Sequence, residues 1–94
     1  MTIVVAPEAQ IDLAEAYNSI AGDDPDAADR LLVRVVEIIG FLATRAFVGR
    51  EVTLRDGRHV RTWPIPPYRI SYRERAGVFE VVRVYHQSRR PIER

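Results

Sequence analysis

Guanidinium groups dominate the chemistry available to the last third of this chain. Pro66-Pro67-Tyr68-Arg69-Ile70-Ser71-Tyr72-Arg73 is followed by Arg83-Val84-Tyr85-His86-Gln87-Ser88-Arg89-Arg90, which reads as a β-hairpin running into a basic terminus. Thr, Val or Ser would satisfy exposed strand positions, so repeated arginines there describe a surface built to meet carboxylate, phosphate or a partner protein. All 14 basic residues are Arg and none is Lys. A blander use of Arg83, Arg89 and Arg90 is a solvated strand edge that discourages sheet-to-sheet aggregation. His86 belongs to the residue type that titrates near neutrality, although a histidine at a strand end more often packs or hydrogen-bonds. His59, beside Gly57 and Arg58, reads as a solvated turn residue. The acidic residues Asp12, Glu15, Asp23, Asp24 and Asp26 lack the convergent spacing of a metal site and suit helix capping and solubility. No Gly-rich phosphate loop and no nucleophile–base pair occurs, so neither a metal nor a cofactor is expected.

Ninety-four residues make one domain, residues 1–94, with a single core. The apolar content of 47% excludes a disordered chain. The absence of Cys excludes a disulfide framework and thiol chemistry, and fits a reducing cytoplasm. Met1-Thr2-Ile3-Val4-Val5 has neither the basic region nor the apolar length of a signal peptide, and the apolar run Ile38 to Ala43 is far short of a membrane span. The net charge of +1 conceals an asymmetry. Residues 1–29 hold seven carboxylates and no basic group, whereas residues 30–94 hold all 14 Arg against six carboxylates, giving −7 and +8. Either the two halves attract each other in the fold, or a basic face is offered to nucleic acid or an acidic partner. A pI near 8.2 is too modest for strong non-specific nucleic-acid binding, and no sequence-specific DNA binding by this chain alone is expected.

The elements that must position these arginines are legible. Ile3 to Val5 reads as a short strand. Pro7 opens a helix carrying Leu13, Tyr17 and Ile20 at helical spacing, with Ala9 and Ala16 beside them, and Gly22 ends it. Asp24-Pro25 then supplies an N-cap and first-turn proline for a second helix, whose apolar stripe is Ala28, Leu31, Leu32, Val35, Ile38, Ile39 and Leu42. Past Gly49, the runs Glu51 to Leu54, His59 to Ile65, Tyr68 to Glu74 and Val78 to His86 read as strands, punctuated by Asp56-Gly57, Pro66-Pro67 and Ala76-Gly77. The expected fold is α+β: a short N-terminal strand and an antiparallel helical hairpin packed on one face of a mostly antiparallel four- or five-stranded sheet.

Strand alternation puts Tyr68, Ile70 and Tyr72 toward the helices and Arg69, Ser71, Arg73 and Arg75 on the opposite, open face. On the last strand both faces hold apolar residues. A three-residue connection at Ala76-Gly77 places Arg83 and Tyr85 beside Arg69, a two-residue connection does not, and a bulge reverses the answer. Trp63 is expected to pack in or beside the core, and a cis bond at the Pro66-Pro67 turn is open.

Taken in order, Asp12-Leu13-Ala14-Glu15, Asp24-Pro25-x-Ala27-Ala28, a proline-flanked strand, Tyr68-Arg69-Ile70-x-Tyr72-Arg73 and Val82-Arg83-Val84-Tyr85-His86-x-x-Arg89 resemble the RelE/ParE toxins of bacterial type II toxin–antitoxin systems over almost the whole chain. The hairpin and the His-x-x-Arg ending look more like the ParE branch. That resemblance implies a toxin that binds and poisons DNA gyrase and is neutralised by a cognate ParD-like antitoxin. The alternatives are a RelE-like ribosome-dependent messenger RNA endonuclease and a non-toxic relative that only binds its antitoxin.

Self-cleavage of RNA through its 2′-hydroxyl needs a base, cationic donors for the phosphate and an acid for the leaving oxygen. The resemblance places Arg69 and Arg89 at the family's arginine positions. Where the RelE branch has lysines this chain has Val60, Arg61, Thr62 and Trp63, and no tyrosine follows Tyr85. As a ribonuclease it would have to use Arg69, Arg89, His86 and Tyr85. As a binder it is expected to meet its target through Arg69, Arg73, Arg83, Tyr85, His86, Arg89 and Arg90. Tyr17, Val33 and Phe41 at the margins of the helix pair are expected to receive the antitoxin's amphipathic helix.

Overall fold

The computed structural model describes the backbone of residues 1–94; the side chain of Arg90 lies outside the described residues. Strand β1 (Thr2–Val5) leads into α1 (Pro7–Ala21), whose proline stands at the start, where a missing N–H costs nothing. Asp24 caps α2 (Pro25–Ala43) by accepting a hydrogen bond from the Ala27 N–H at 3.1 Å. Strands β2 (Arg50–Thr53), β3 (His59–Ile65), β4 (Tyr68–Arg75) and β5 (Val78–His86) follow, and Gln87–Ile92 winds into 3₁₀ turns. The five strands lie in the order β1-β5-β4-β3-β2, with β1 parallel to β5 and the other pairs antiparallel. The α+β expectation holds, with five strands.

One face of the sheet meets the helices. Ala9, Val35, Ile38, Ile39 and Leu42 pack there on Ile65, Ile70, Tyr72, Phe79, Val81 and Val84. Leu32 is a correction to the expected stripe: it turns outward and is 37% exposed, because it lies on the solvent side of the arc defined by Ala28, Val35, Ile38 and Leu42. Trp63 stacks on Phe47 with ring centroids 4.8 Å apart, beside the core as expected. The Pro66–Pro67 bond is cis.

Register on β5 is decided by two local features. Ala76 and Gly77 both have positive φ, 51° and 78°, the geometry of a two-residue hairpin turn whose twist matches the strands. Such a turn alone would separate Arg83 from Arg69. The pairing then slips: Ser71 faces Arg83 but Tyr72 faces Val81, so Val82 is an extra, bulged residue. Beyond the bulge, Arg69 sits opposite Tyr85 and Ser71 opposite Arg83.

The face expected to be open is covered. Leu54, Val60 and Val82 form a second buried cluster with Val52 and Ile92 packed against it. The chain end folds back to make this roof: Arg55 N–H donates to the Ile92 carbonyl at 2.8 Å, Arg94 N–H donates to the Thr53 carbonyl at 2.6 Å, and Leu54 bridges Glu93.

Gly49 illustrates how tightly the loop after α2 is held. Its N–H donates to the Tyr72 hydroxyl at 2.7 Å, and a Cβ there would lie 2.4 Å from the Thr62 carbonyl oxygen. Gly49→Ala is expected to lower stability by about 2–4 kcal/mol in urea unfolding. Gly40 is exposed in α2, where a Cβ meets nothing within 4 Å, so Gly40→Ala is expected to raise stability by about 0.5–1 kcal/mol.

Candidate target-binding surface

The arginines singled out by sequence are divided by the fold into buried, clamped and exposed groups. Arg69 is buried, at 9% exposure, and so does not lie on an open face. One of its terminal amino groups donates to Thr62 Oγ1 at 3.0 Å, and its Nε has no protein partner. Across the strand, the Tyr85 hydroxyl donates to Glu93 Oε2 at 2.5 Å, and Glu93 also meets Arg50 at 3.5 Å. Burial, reinforced by the Glu93 carboxylate, pushes the Tyr85 phenol well above its usual value, while the nearby Arg69 charge opposes the shift. Tyr85 is therefore a neutral donor locked under the chain end.

Arg83 is held by helix α1. Its Nε and one Nη donate to the Asp12 carboxylate at 2.7 and 3.1 Å, and Glu8 lies 3.3 Å from its other Nη. The hydrogen bonds and charge of Asp12 raise the Arg83 pKa further, with Glu8 adding to the effect. Asp12 also accepts the backbone N–H of Val84 at 3.0 Å. Arg73 pairs with Glu80 of β5 at 2.6 Å.

The end of β5 and the turn after it form the exposed part. His86 Nδ1 accepts the Ser88 N–H at 3.1 Å and lies 2.7 Å from Ser88 Oγ, so the neutral imidazole carries its proton on Nε2. Its ring meets Tyr68 edge-on with centroids 5.4 Å apart. Arg89 is exposed and has no carboxylate within 4.0 Å among the described residues. A cleft of about 550 Å³ runs between α1 and this end of β5, bordered by Asp12, Glu15, Tyr68, His86, Ser88 and Arg89. The fold thus brings Arg83, Tyr85, His86 and Arg89 to one cleft, Tyr85 with its hydroxyl held by Glu93, while Arg69 is buried and Arg73 lies beside Glu80. Arg90's expected role falls on a side chain outside the described residues.

On the helical side, Val33 is 58% and Phe41 42% exposed on α2, with Val36 between them. Tyr17 is half-buried and its hydroxyl donates to Asp29 at 2.8 Å, tying α1 to α2. Among the described residues no group of three His, Asp or Glu side chains is arranged to hold a metal ion, and no helix is long and apolar enough to cross a membrane.

The pairing of a helical hairpin with this five-stranded sheet agrees with one family. The model of the ParE toxin of the type II toxin–antitoxin system parDE matches residues 3–91. The chain belongs to the ParE toxin family. A comparison with functionally characterised proteins finds no match. Among solved structures, a chain described as the chromosomal ParDE TA system from P. aeruginosa superposes with a TM-score of 0.74, covering 92% of this chain and 95% of that one, at 20% identity. That likeness is one of fold.

Sequence reasoning missed the carboxylates that organise this ParE toxin's arginines. Asp12 was read as helix solubility and Glu93 had no role, because neither lies near its arginine in sequence. For Asp12 the only signal was the acidic start of the chain, and Glu93, in the arginine-rich part, had none. For Tyr85 the pH dependence has a definite sign: a phenol whose folded pKa is raised keeps its stabilising contribution below the unfolded value near 10 and loses it as pH rises past that value toward the folded one. Wild-type stability is expected to fall above about pH 10, and Tyr85→Phe to flatten part of that fall in denaturant titrations at several pH values.

Proposed function

We infer that this ParE toxin arrests growth by gripping a macromolecule, that the target is DNA gyrase, and that the surface used is the one around Arg83, His86 and Arg89. The observation that supports binding over cleavage most directly is the commitment of the proton-transfer candidates. The Tyr85 hydroxyl is buried on Glu93, and His86 Nδ1 is occupied by Ser88. Lysine is absent from all 94 residues, and a guanidinium with a pKa above about 12 is no base at neutral pH. Neither Tyr85 nor His86 is thus free to take the proton of a 2′-hydroxyl brought to this cleft, and Asp12 is taken by Arg83. Its arginines suit hydrogen bonding to a protein or nucleic-acid surface.

Neutralisation by a cognate, ParD-like antitoxin belongs to the same reading. The structure matched from P. aeruginosa is described as a ParDE system, and the exposed Val33, Val36 and Phe41 give α2 an apolar strip that an amphipathic partner helix would cover. Tyr17 on α1 is anchored to Asp29 of α2.

Induced expression with plasmid topology and transcript integrity followed together tests the proposal. Loss of negative supercoiling and a DNA-damage response with intact transcripts are expected. Arg89→Ala should weaken gyrase inhibition by about tenfold, and His86→Gln should not abolish it. Transcripts cut within translated regions, with cutting silenced by His86→Gln, would instead identify a RelE-like endonuclease. Normal growth would identify a relative that only binds its antitoxin.

A further inference from the structure

Strands β3 and β4 are paired over only part of their lengths. Their register runs from Ile65–Tyr68 to Arg61–Tyr72, yet β4 continues to Arg75 and β3 begins at His59. Beyond Tyr72, β4 is paired with β5 alone, through Arg73–Glu80, Glu74–Phe79 and Arg75–Val78. Along an antiparallel strand, successive residues aim their N–H and C=O groups to opposite sides. At least one of Arg73, Glu74 and Arg75 therefore turns both groups into the gap, beyond the last β3–β4 pair. On the other lip, His59 and Val60 are paired only with Thr53 and Val52 of β2.

A cleft of about 660 Å³ opens at this divergence, within the range of about 300–1,000 Å³ typical of ligand sites. Leu42, Phe47, Val48, Val60 and Tyr72 supply its apolar lining, and Val48 is 60% exposed. Its rim carries Arg45, Arg61 and Arg73 against Glu51 and Glu74. Both carboxylates are engaged, Glu74 by Arg45 at 2.8 Å and Glu51 by Arg61 at 3.0 Å, while Arg73 uses Glu80. Arg75, exposed just past the rim, has no carboxylate within 4.0 Å among the described residues. The mouth is left with a surplus positive charge.

We propose that this divergence docks an extended, acidic segment of a partner protein, which adds as a strand to the free edge of β4. One aliphatic side chain of the segment rests on Val48 and a neighbouring carboxylate meets Arg75. Main-chain bonding along an exposed edge supplies affinity in such additions, and alternate side chains supply specificity. The surplus guanidinium selects acidic segments and speeds their encounter. The site adjoins the α2 strip, its Phe47 packing on Phe41 with ring centroids 4.9 Å apart, but it is separate from the cleft at Arg89, so it stands or falls independently of the gyrase reading.

The test uses the full chain, isotopically labelled, and an acetylated and amidated Glu-Val-Asp-Val-Glu peptide. Chemical-shift changes and slowed amide exchange are expected at His59–Val60 and Arg73–Arg75. Arg75→Glu should weaken binding by about fivefold, Val48→Asp should abolish it, and thermal unfolding of both variants should match wild type. Methylating alternate backbone nitrogens of the peptide should also abolish binding, because it removes the donors a strand addition needs. Absence of binding at millimolar peptide, shifts that map to β1 or to the Arg89 cleft, or equal binding of the methylated peptide would each overturn the proposal.

Discussion

The Asp12 carboxylate joins the acidic start of the chain to its basic sheet, and the edge of the fold depends on it. Strand β1 covers β5 only as far as Val81. From there α1 takes over the same edge, with the Ala6 N–H bonded to the Val81 carbonyl and Asp12 receiving both the Val84 N–H and the Arg83 guanidinium. A half-covered pair of this kind differs from exposed contacts such as Arg30–Asp24 at 3.8 Å, which contribute only about 0–1 kcal/mol. Removing one member of the Asp12–Arg83 pair would leave the other charge and a backbone donor uncompensated. The charge asymmetry of the sequence is thus partly internal architecture: Glu8 and Asp12 serve Arg58 and Arg83.

Behind that edge lies a polar layer that a purely structural core would not need. Thr62, Arg69, Ser71 and Tyr85 are all buried between the sheet and the returning chain end. In this layer Arg69 donates to Thr62 and Tyr85 to Glu93, and one guanidinium nitrogen of Arg69 remains without a protein partner. Burying a guanidinium is costly unless its hydrogen bonds are met. The roof formed by Ile92 and Glu93 is therefore as much an electrostatic cover as an apolar one, and the position of the C-terminal arginines follows from where that cover anchors.

Local signals were enough for most of the architecture and not for the site. The helix pair was readable because Asp24-Pro25 is a cap and the periodicity of Ala28, Val35, Ile38 and Leu42 is strong. The turn at Ala76-Gly77 was readable as a turn. Its consequence for Arg83 was not, because a bulge at Val82 cancels the register that a two-residue turn imposes, and a single extra residue leaves no mark in a strand whose faces are both apolar. The covered face was missed for a related reason. Closing it takes contacts between Thr53–Arg55 and Ile92–Arg94, segments nearly forty positions apart. Partnerships such as Asp12 with Arg83 span 71 positions, and no local pattern encodes them.

The exclusive use of arginine has a physical consequence for how this toxin can recognise anything. A guanidinium stays charged throughout the physiological range, and pairing with carboxylates raises the pKa of Arg58 and Arg83 further. Histidine is the side chain whose charge ordinarily changes near neutrality. The two present are each tied to a neighbouring hydroxyl, His59 to Thr53 at 3.0 Å and His86 to Ser88 at 2.7 Å. The arginines supply fixed charges in fixed places: Arg83 held by two carboxylates, and Arg89 left to reach outward. A surface of that kind reads geometry, since planar donors reward a correctly spaced carboxylate or phosphate with two hydrogen bonds and a misplaced one with at most one.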